Sequence, residues 1–242
     1  PKKTNKKLGL VIDLDICVGC HACAVNCKEW NTSGHSSPLH DVDPYGDDPT
    51  GVWFNRIHTF EVETEVKGSK TVHFPKSCLH CEDAPCVSVC PTGASYKRDE
   101  DGIVLVNADT CIGCKLCSWA CPYGAREYDE TAGVMKKCTL CVDKIYNENL
   151  PENERVPACV SSCPTGARSF GDLGDKNSEI VKLVSERDGY DLMPEQDCKP
   201  VNKYLPPKSN NDIFKNKELK PISKNEDQSF EDWIEQVQGA SE

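Results

Sequence analysis

Sixteen of the seventeen cysteines in this chain fall into four short groups, and their spacing limits the folds open to it. The first group is Cys17, Cys20, Cys23 and Cys27, and the third, Cys111, Cys114, Cys117 and Cys121, repeats its C-x2-C-x2-C-x3-C interval. The second group, Cys78, Cys81, Cys86 and Cys90, reads C-x2-C-x4-C-x3-C, and the fourth, Cys138, Cys141, Cys159 and Cys163, reads C-x2-C-x17-C-x3-C. Pro-x-Gly-Ala follows three of the groups, beginning at Pro91, Pro122 and Pro164, whereas Lys28-Glu29-Trp30 follows Cys27. So many cysteines mean a disulfide scaffold or metal ligation. The count is odd, so full pairing would leave one thiol over.

The intervals favour metal. The run C-x2-C-x2-C-x3-C-P is the bacterial ferredoxin arrangement, in which thiolates hold [4Fe–4S] clusters and the last cysteine serves the neighbouring cluster. Cysteines at i, i+3 and i+6 of a curling loop aim at one cube, with Gly19 and Gly113 relieving the backbone. The fourth cysteine, expected at the start of a short helix, reaches roughly 6 Å beyond the third. The proline after it then ends that element. Four [4Fe–4S] clusters on sixteen cysteines are expected, with Cys198 an unligated structural thiol. Taken alone, the fourth group also has the make-up of a four-thiolate zinc ribbon. The C-x3-C-x2-C pattern of radical-generating enzymes is absent. His21 and His80 lie inside groups and are read as packing or hydrogen-bonding residues, since four cysteines already serve each group. Arg126, Lys136, Lys137 and Arg168 flank cysteines; they offset cluster charge or are ordinary surface charges.

The formal charge of −11 disfavours nucleic acid and anionic membrane surfaces and suits protein partners. Residues 8–12 are too short for a signal-peptide core, and no run approaches the length of a membrane-spanning helix. The chain is expected to be soluble or held at a membrane through a partner. Residues 51–66 carry Val52, Phe54, Ile57, Phe60, Val62 and Val66 among polar residues and read as strand, turning at Gly68-Ser69 into a second strand. Residues 147–156 read as a loop and 178–187 as a helix with Ile180, Val181 and Val184 inward. Phe230, Trp233, Ile234 and Val237 form a helical stripe near the end, read as a docking helix or one folding back on the chain. The expected class is α+β. Two ferredoxin-like double-cluster modules span 1–30 with 132–198, and 76–131. A β-hairpin insertion covers 31–75, and an extended docking arm covers 199–242.

The four ordered groups resemble, from about 8 to 205, the iron–sulfur subunit of the dimethyl sulfoxide reductase family of molybdopterin oxidoreductases. Gly9-Leu10-Val11-Ile12-Asp13, Cys17-Val18-Gly19-Cys20-His21-Ala22-Cys23, Lys28-Glu29-Trp30-Asn31, Gly171-Asp172-Leu173 and Leu192-Met193-Pro194 are most similar to its sulfite dehydrogenase branch. The resemblance implies four ligand sets: Cys17, Cys20, Cys23 and Cys163; Cys27, Cys138, Cys141 and Cys159; Cys78, Cys81, Cys86 and Cys121; and Cys90, Cys111, Cys114 and Cys117. It further implies a relay from a molybdopterin catalytic subunit, next to the first set, to an integral membrane subunit that exchanges electrons with quinone, next to the fourth. The implied location is the cytoplasmic face of the inner membrane, with periplasmic export alongside a partner as the alternative. Sulfite oxidation is the first expectation. Dimethyl sulfoxide, polysulfide, thiosulfate or tetrathionate reduction, or a free-standing polyferredoxin, are the alternatives. No catalytic residue is expected: every grouped cysteine is used on a cluster, and neither a Rossmann fingerprint nor a phosphate loop is present.

Overall fold

A computed structural model describes residues 5–32, 51–64 and 68–207. The stripe at Phe230, Trp233, Ile234 and Val237 lies outside them. The central strand β1 (Leu8–Asp13) is buried along its whole length. A strand covered on both faces can be a continuous apolar run, here Leu8-Gly9-Leu10-Val11-Ile12. Gly9 allows that close cover, because a Cβ there would meet Leu173 Cδ1 and Val201 Cγ1 at 2.8 Å.

The two neighbours of β1 come from far along the chain. Strand β8 (Arg168–Asp172) pairs with it antiparallel, Leu8 opposite Asp172 and Ile12 opposite Arg168. Strand β9 (Lys203–Leu205) pairs parallel on the other edge, Val11 opposite Lys203. Between them, α6 (Glu179–Glu186) begins at Ser178, whose Oγ accepts from the Val181 N–H. Its Ile180, Val181, Leu183 and Val184 pack on Val11 and Leu205. Arg187, just past the helix, ties it back to β1 through Asp13 at 2.8 Å.

Four further strands form hairpins in the middle of the chain: β4 (Ser95–Lys97) with β5 (Val104–Val106), and β6 (Glu127–Asp129) with β7 (Val134–Lys136). A longer hairpin joins β2 (Asn55–Thr64) to β3 (Gly68–Ser77), Asn55 opposite Ser77. The strand expected over 51–66 thus starts at Asn55, because Val52 and Phe54 are drawn into a buried cluster with Cys27, Cys78 and Cys138. The loop expected at 147–156 contains one 3-10 turn, Glu152–Glu154.

Residues 199–205, expected to open an extended arm, are part of the folded body, and the rest of the expected arm beyond 207 lies outside the described residues. Tyr204 is fully buried, stacks on Phe74 with ring centroids 4.7 Å apart, and donates its hydroxyl to the Pro75 carbonyl at 2.9 Å. Asn202, also fully buried, accepts from the Leu10 N–H at 2.8 Å and donates to the Cys78 carbonyl at 3.0 Å. Lysines, asparagine and prolines make this stretch look solvated locally; its partners are all distant in sequence. Truncating Tyr204 to alanine should cost about 3–5 kcal/mol of stability, and Tyr204→Phe only about 1 kcal/mol. Anaerobic chemical denaturation measures both, and equal effects would show that the stacked ring carries nothing.

Candidate metal centres

The cysteines sit on short helices and on the loops that enter them. Helix α1 (Ala22–Asn31) carries both Cys23 and Cys27. Helices α2 (Pro85–Ser88), α3 (Leu116–Trp119) and α5 (Ala158–Ser161) carry Cys86, Cys117 and Cys159. In these three the fourth cysteine follows the helix instead of opening one, because Pro91, Pro122 and Pro164 stop the chain behind it. No proline follows Cys27, and α1 runs on to Asn31. Gly19 and Gly113 have φ of +65° and +67°, the left-handed turn that lets each loop curl. A side chain at Gly19 would run into the ring of His73 on β3. Helix α4 (Val142–Ile145) starts at Cys141, itself left-handed with φ of 50°.

Three cavities are each walled by four cysteines. Cys17, Cys20, Cys23 and Cys163 surround one of about 330 Å³. Cys78, Cys81, Cys86 and Cys121 surround a second of about 320 Å³. Cys90, Cys111, Cys114 and Cys117 surround a third of about 310 Å³. The remaining four thiols are neighbours: the Asn31 amide reaches Cys27 Sγ at 3.6 Å and Cys141 Sγ at 3.5 Å, and Cys138, Cys159 and Cys141 all bear electrostatically on Cys27. Cys163 therefore faces a different cavity from Cys138, Cys141 and Cys159, which a zinc ribbon on the fourth group would have to keep together. Among the described residues no three His, Cys, Asp or Glu side chains close on a point as a single ion requires. All seventeen thiols are free of disulfides.

Burial above all, with neighbouring cysteines and against the pull of Arg168 and Lys137, pushes the Cys159 thiol up to about 11 and the Cys138 thiol up to about 12. Dry, crowded thiols hold their protons until a metal takes their place, so loading these sites releases protons. Cys90 and Cys163 are instead lowered. Backbone N–H groups approach them, that of Ser95 at 3.3 Å from Cys90 Sγ, and the hydroxyls of Thr92 and Thr165 each stand 3.7 Å from their sulfur. The repeated Pro-Thr-Gly-Ala is visible in the sequence, but its role as a sulfur cradle is not.

The flanking cations divide. Lys136 pairs with Asp129 at 2.6 Å and remains partly exposed, whereas Lys137, Arg126 and Arg168 are buried. Lys28, whose sequence context does not reveal its burial, lies buried beside Cys27, with Nζ donating to the Val52 carbonyl and lying over the Trp53 ring. His21 is an exposed left-handed residue before α1. His80 is fully buried; its Nδ1 accepts from the Val104 N–H, and desolvation lowers its pKa well below the usual imidazole range. Cys198 walls none of the three cavities and donates to the Gln196 carbonyl at 3.4 Å. Three donors, His80 Nε2, Arg126 Nη1 and Arg168 Nη1, are buried without a hydrogen-bond partner. Thiolate walls with orphaned donors around them fit a sulfur-rich, negatively charged group of several atoms.

This arrangement defines a ferredoxin-like iron–sulfur protein of two double-cluster domains. Residues 16–94 and 69–173 each match the 4Fe–4S dicluster domain family, which gives four [4Fe–4S] clusters. The sequence is 62% identical to a sulfite dehydrogenase subunit of Allochromatium vinosum, over 83% of either chain. It is 36% identical to a putative dimethyl sulfoxide reductase iron–sulfur subunit of Halobacterium salinarum, over 81% of this chain and 78% of the relative. It is 38% identical to a component of the polysulfide reductase of Wolinella succinogenes, over 75% of this chain and 85% of the relative. The protein belongs to the iron–sulfur subunits of the dimethyl sulfoxide reductase family.

Anaerobically loaded protein should contain about sixteen iron and sixteen sulfide per chain, and Cys198→Ser should leave both unchanged. About twelve iron with one zinc would reinstate the zinc ribbon.

Proposed function

We propose that the chain is a non-catalytic relay that carries electrons from a molybdopterin catalytic subunit to a membrane subunit linked to quinone, in sulfite oxidation. In this reading the four cysteine sets given above are the cluster ligands. Bound clusters supply one-electron transfer; the chain supplies their order, their burial and their two outlets.

One observation carries the reading. Among the described residues Cys20 and Cys114 are the exposed cysteines, and they belong to the first and the last set. The two sets between are far less accessible: Cys27, Cys138, Cys141 and Cys159 are buried, as are Cys78, Cys81 and Cys86. Cys78 and Cys138 pack in one cluster with Val52 and Phe54, which brings the inner sets side by side. Helix α1 joins the first two sets through Cys23 and Cys27. The α2 and α3 segments join the last two through Cys86 with Cys90 and Cys117 with Cys121. A row of four with accessible ends and a covered middle suits stepwise transfer.

Each end is also apolar. Val18 is exposed at the rim of the Cys20 cavity, and Ile112, 65% exposed, lines the cavity of Cys114. Such residues suit protein contacts that exclude water from an electron outlet. Among the described residues no helix is long and apolar enough to cross a membrane. The placement at the cytoplasmic face of the inner membrane rests on the family resemblance. The choice of sulfite rests on the relative at 62% identity. The orientation, with the catalytic partner at Cys20 and the membrane partner at Cys114, rests on the family resemblance.

The isolated chain should accept electrons from a strong artificial donor yet turn over neither sulfite, dimethyl sulfoxide nor polysulfide. With its catalytic partner and sulfite, the set containing Cys20 should respond first in rapid-freeze spectroscopy. A first response at the set containing Cys114 would reverse the orientation, and turnover by the lone chain would end the relay reading.

A further inference from the structure

Arg126 and Arg168 occupy equivalent places, nine residues after Cys117 and Cys159 and directly behind Pro-x-Gly-Ala. They are 5% and 3% exposed. Among the described residues neither forms an ion pair with a carboxylate; the ion pairs involve other cations. A guanidinium stays charged at every accessible pH, and burying one without a counter-charge costs several kcal/mol. Its compensation must come from what surrounds it, and what surrounds each of these two is cysteine sulfur.

Arg126 walls two of the cavities at once, the one of Cys78, Cys81, Cys86 and Cys121 and the one of Cys90, Cys111, Cys114 and Cys117. Its Nη2 donates to Cys86 Sγ at 2.9 Å, and its charge acts on Cys117 across the module. Nη2 also reaches Ser95 Oγ at 2.7 Å. Ser95 stands nine residues after Cys86, the place a second arginine would take by the repeat, so one guanidinium occupies the centre. Arg168 repeats this in the other module. It lines the cavity of Cys17, Cys20, Cys23 and Cys163, and it bonds Cys159 of the neighbouring set. Here Asn55 of β2 supplies the neutral partner, accepting from Nη2 at 2.7 Å. In both residues Nη1 is buried with no acceptor.

We infer that Arg126 and Arg168 are redox-setting residues, each a fixed charge and hydrogen-bond donor shared by the two clusters of one module, raising the potentials of both together. The inference rests on the ligand sets proposed above. Reduction adds negative charge to a cluster, and a permanent positive charge beside it favours that state. A charge between two clusters acts on both and eases the repulsion when both are reduced.

The test is a redox titration of the full chain followed by electron paramagnetic resonance, with iron content measured first. In Arg126→Gln the reduced-to-oxidised ratio at fixed potential should fall tenfold or more for both clusters of the second module, about 59 mV for one electron. The other two clusters should not move. Arg168→Gln should do the reverse. Arg126→Lys and Arg168→Lys keep the charge and should shift less than threefold. A shift confined to one cluster, a shift spread over both modules, or lysine variants as displaced as the glutamine ones would overturn the inference. If a glutamine variant loses iron, the unsubstituted chain grown with 15N-arginine carries the test. Nitrogen couplings at both reduced clusters of each module are expected, and their absence at either would refute a shared donor. Fewer than sixteen irons in the unsubstituted chain would instead overturn the ligand sets.

Discussion

Cys23 and Cys27 lie about one turn apart on α1 and face different thiol sets. The same division recurs at Cys86 and Cys90, at Cys117 and Cys121, and at Cys159 and Cys163. This exchange is the constraint on which the architecture depends. No set can be completed by one stretch of chain, so each helix must sit beside its partner, α1 beside α5 and α2 beside α3. The sheet follows from it as well. Cys17 and Cys163 wall one cavity, which requires β1 and β8 to lie side by side. Helices of four residues have no stability of their own. They persist because proline ends them and because their cysteines are held from both sides.

The charge distribution is inverted relative to the formal total. The chain is acidic overall at −11, yet four of its buried side chains are Lys28, Arg126, Lys137 and Arg168. Each lies beside or bonds to a cysteine or its backbone. Lys137, for instance, donates to the Cys138 carbonyl at 2.6 Å. Cations without water are tolerable only where negative charge accumulates, and thiolates around a cluster supply it. The buried cations thus oppose the charge of the cofactors although the chain as a whole is acidic.

Much of the site was legible because ligand spacing is a local property. The intervals, the Pro-x-Gly-Ala repeats and the glycines at 19 and 113 report short-range geometry that the structure displays directly. Helix α6 was legible for the same reason, with Ser178 before it and apolar residues at helical spacing. Strand β9 was not, because Val201, Tyr204 and Leu205 sit among lysine and proline and acquire meaning only from Leu79, Phe74 and β1. The burial of Lys28 and Lys137 was not legible either. A lysine beside a cysteine reads the same whether solvated or buried, and only distant Val52 and Val104 carbonyls reveal which. Asn55 and Asn202 are polar residues whose use depends on partners more than a hundred positions away.

Strand β1 is synthesised well before both of its neighbours, which come from far along the chain. Until they emerge from the ribosome its apolar run has no cover, and the Asn202 side chain that pins Leu10 to the Cys78 loop does not yet exist. Closure of this sheet therefore waits for the far strands, and contacts so distant in sequence form slowly. The nascent polypeptide passes through a stage in which the Cys17 and Cys78 loops are already made but unsealed.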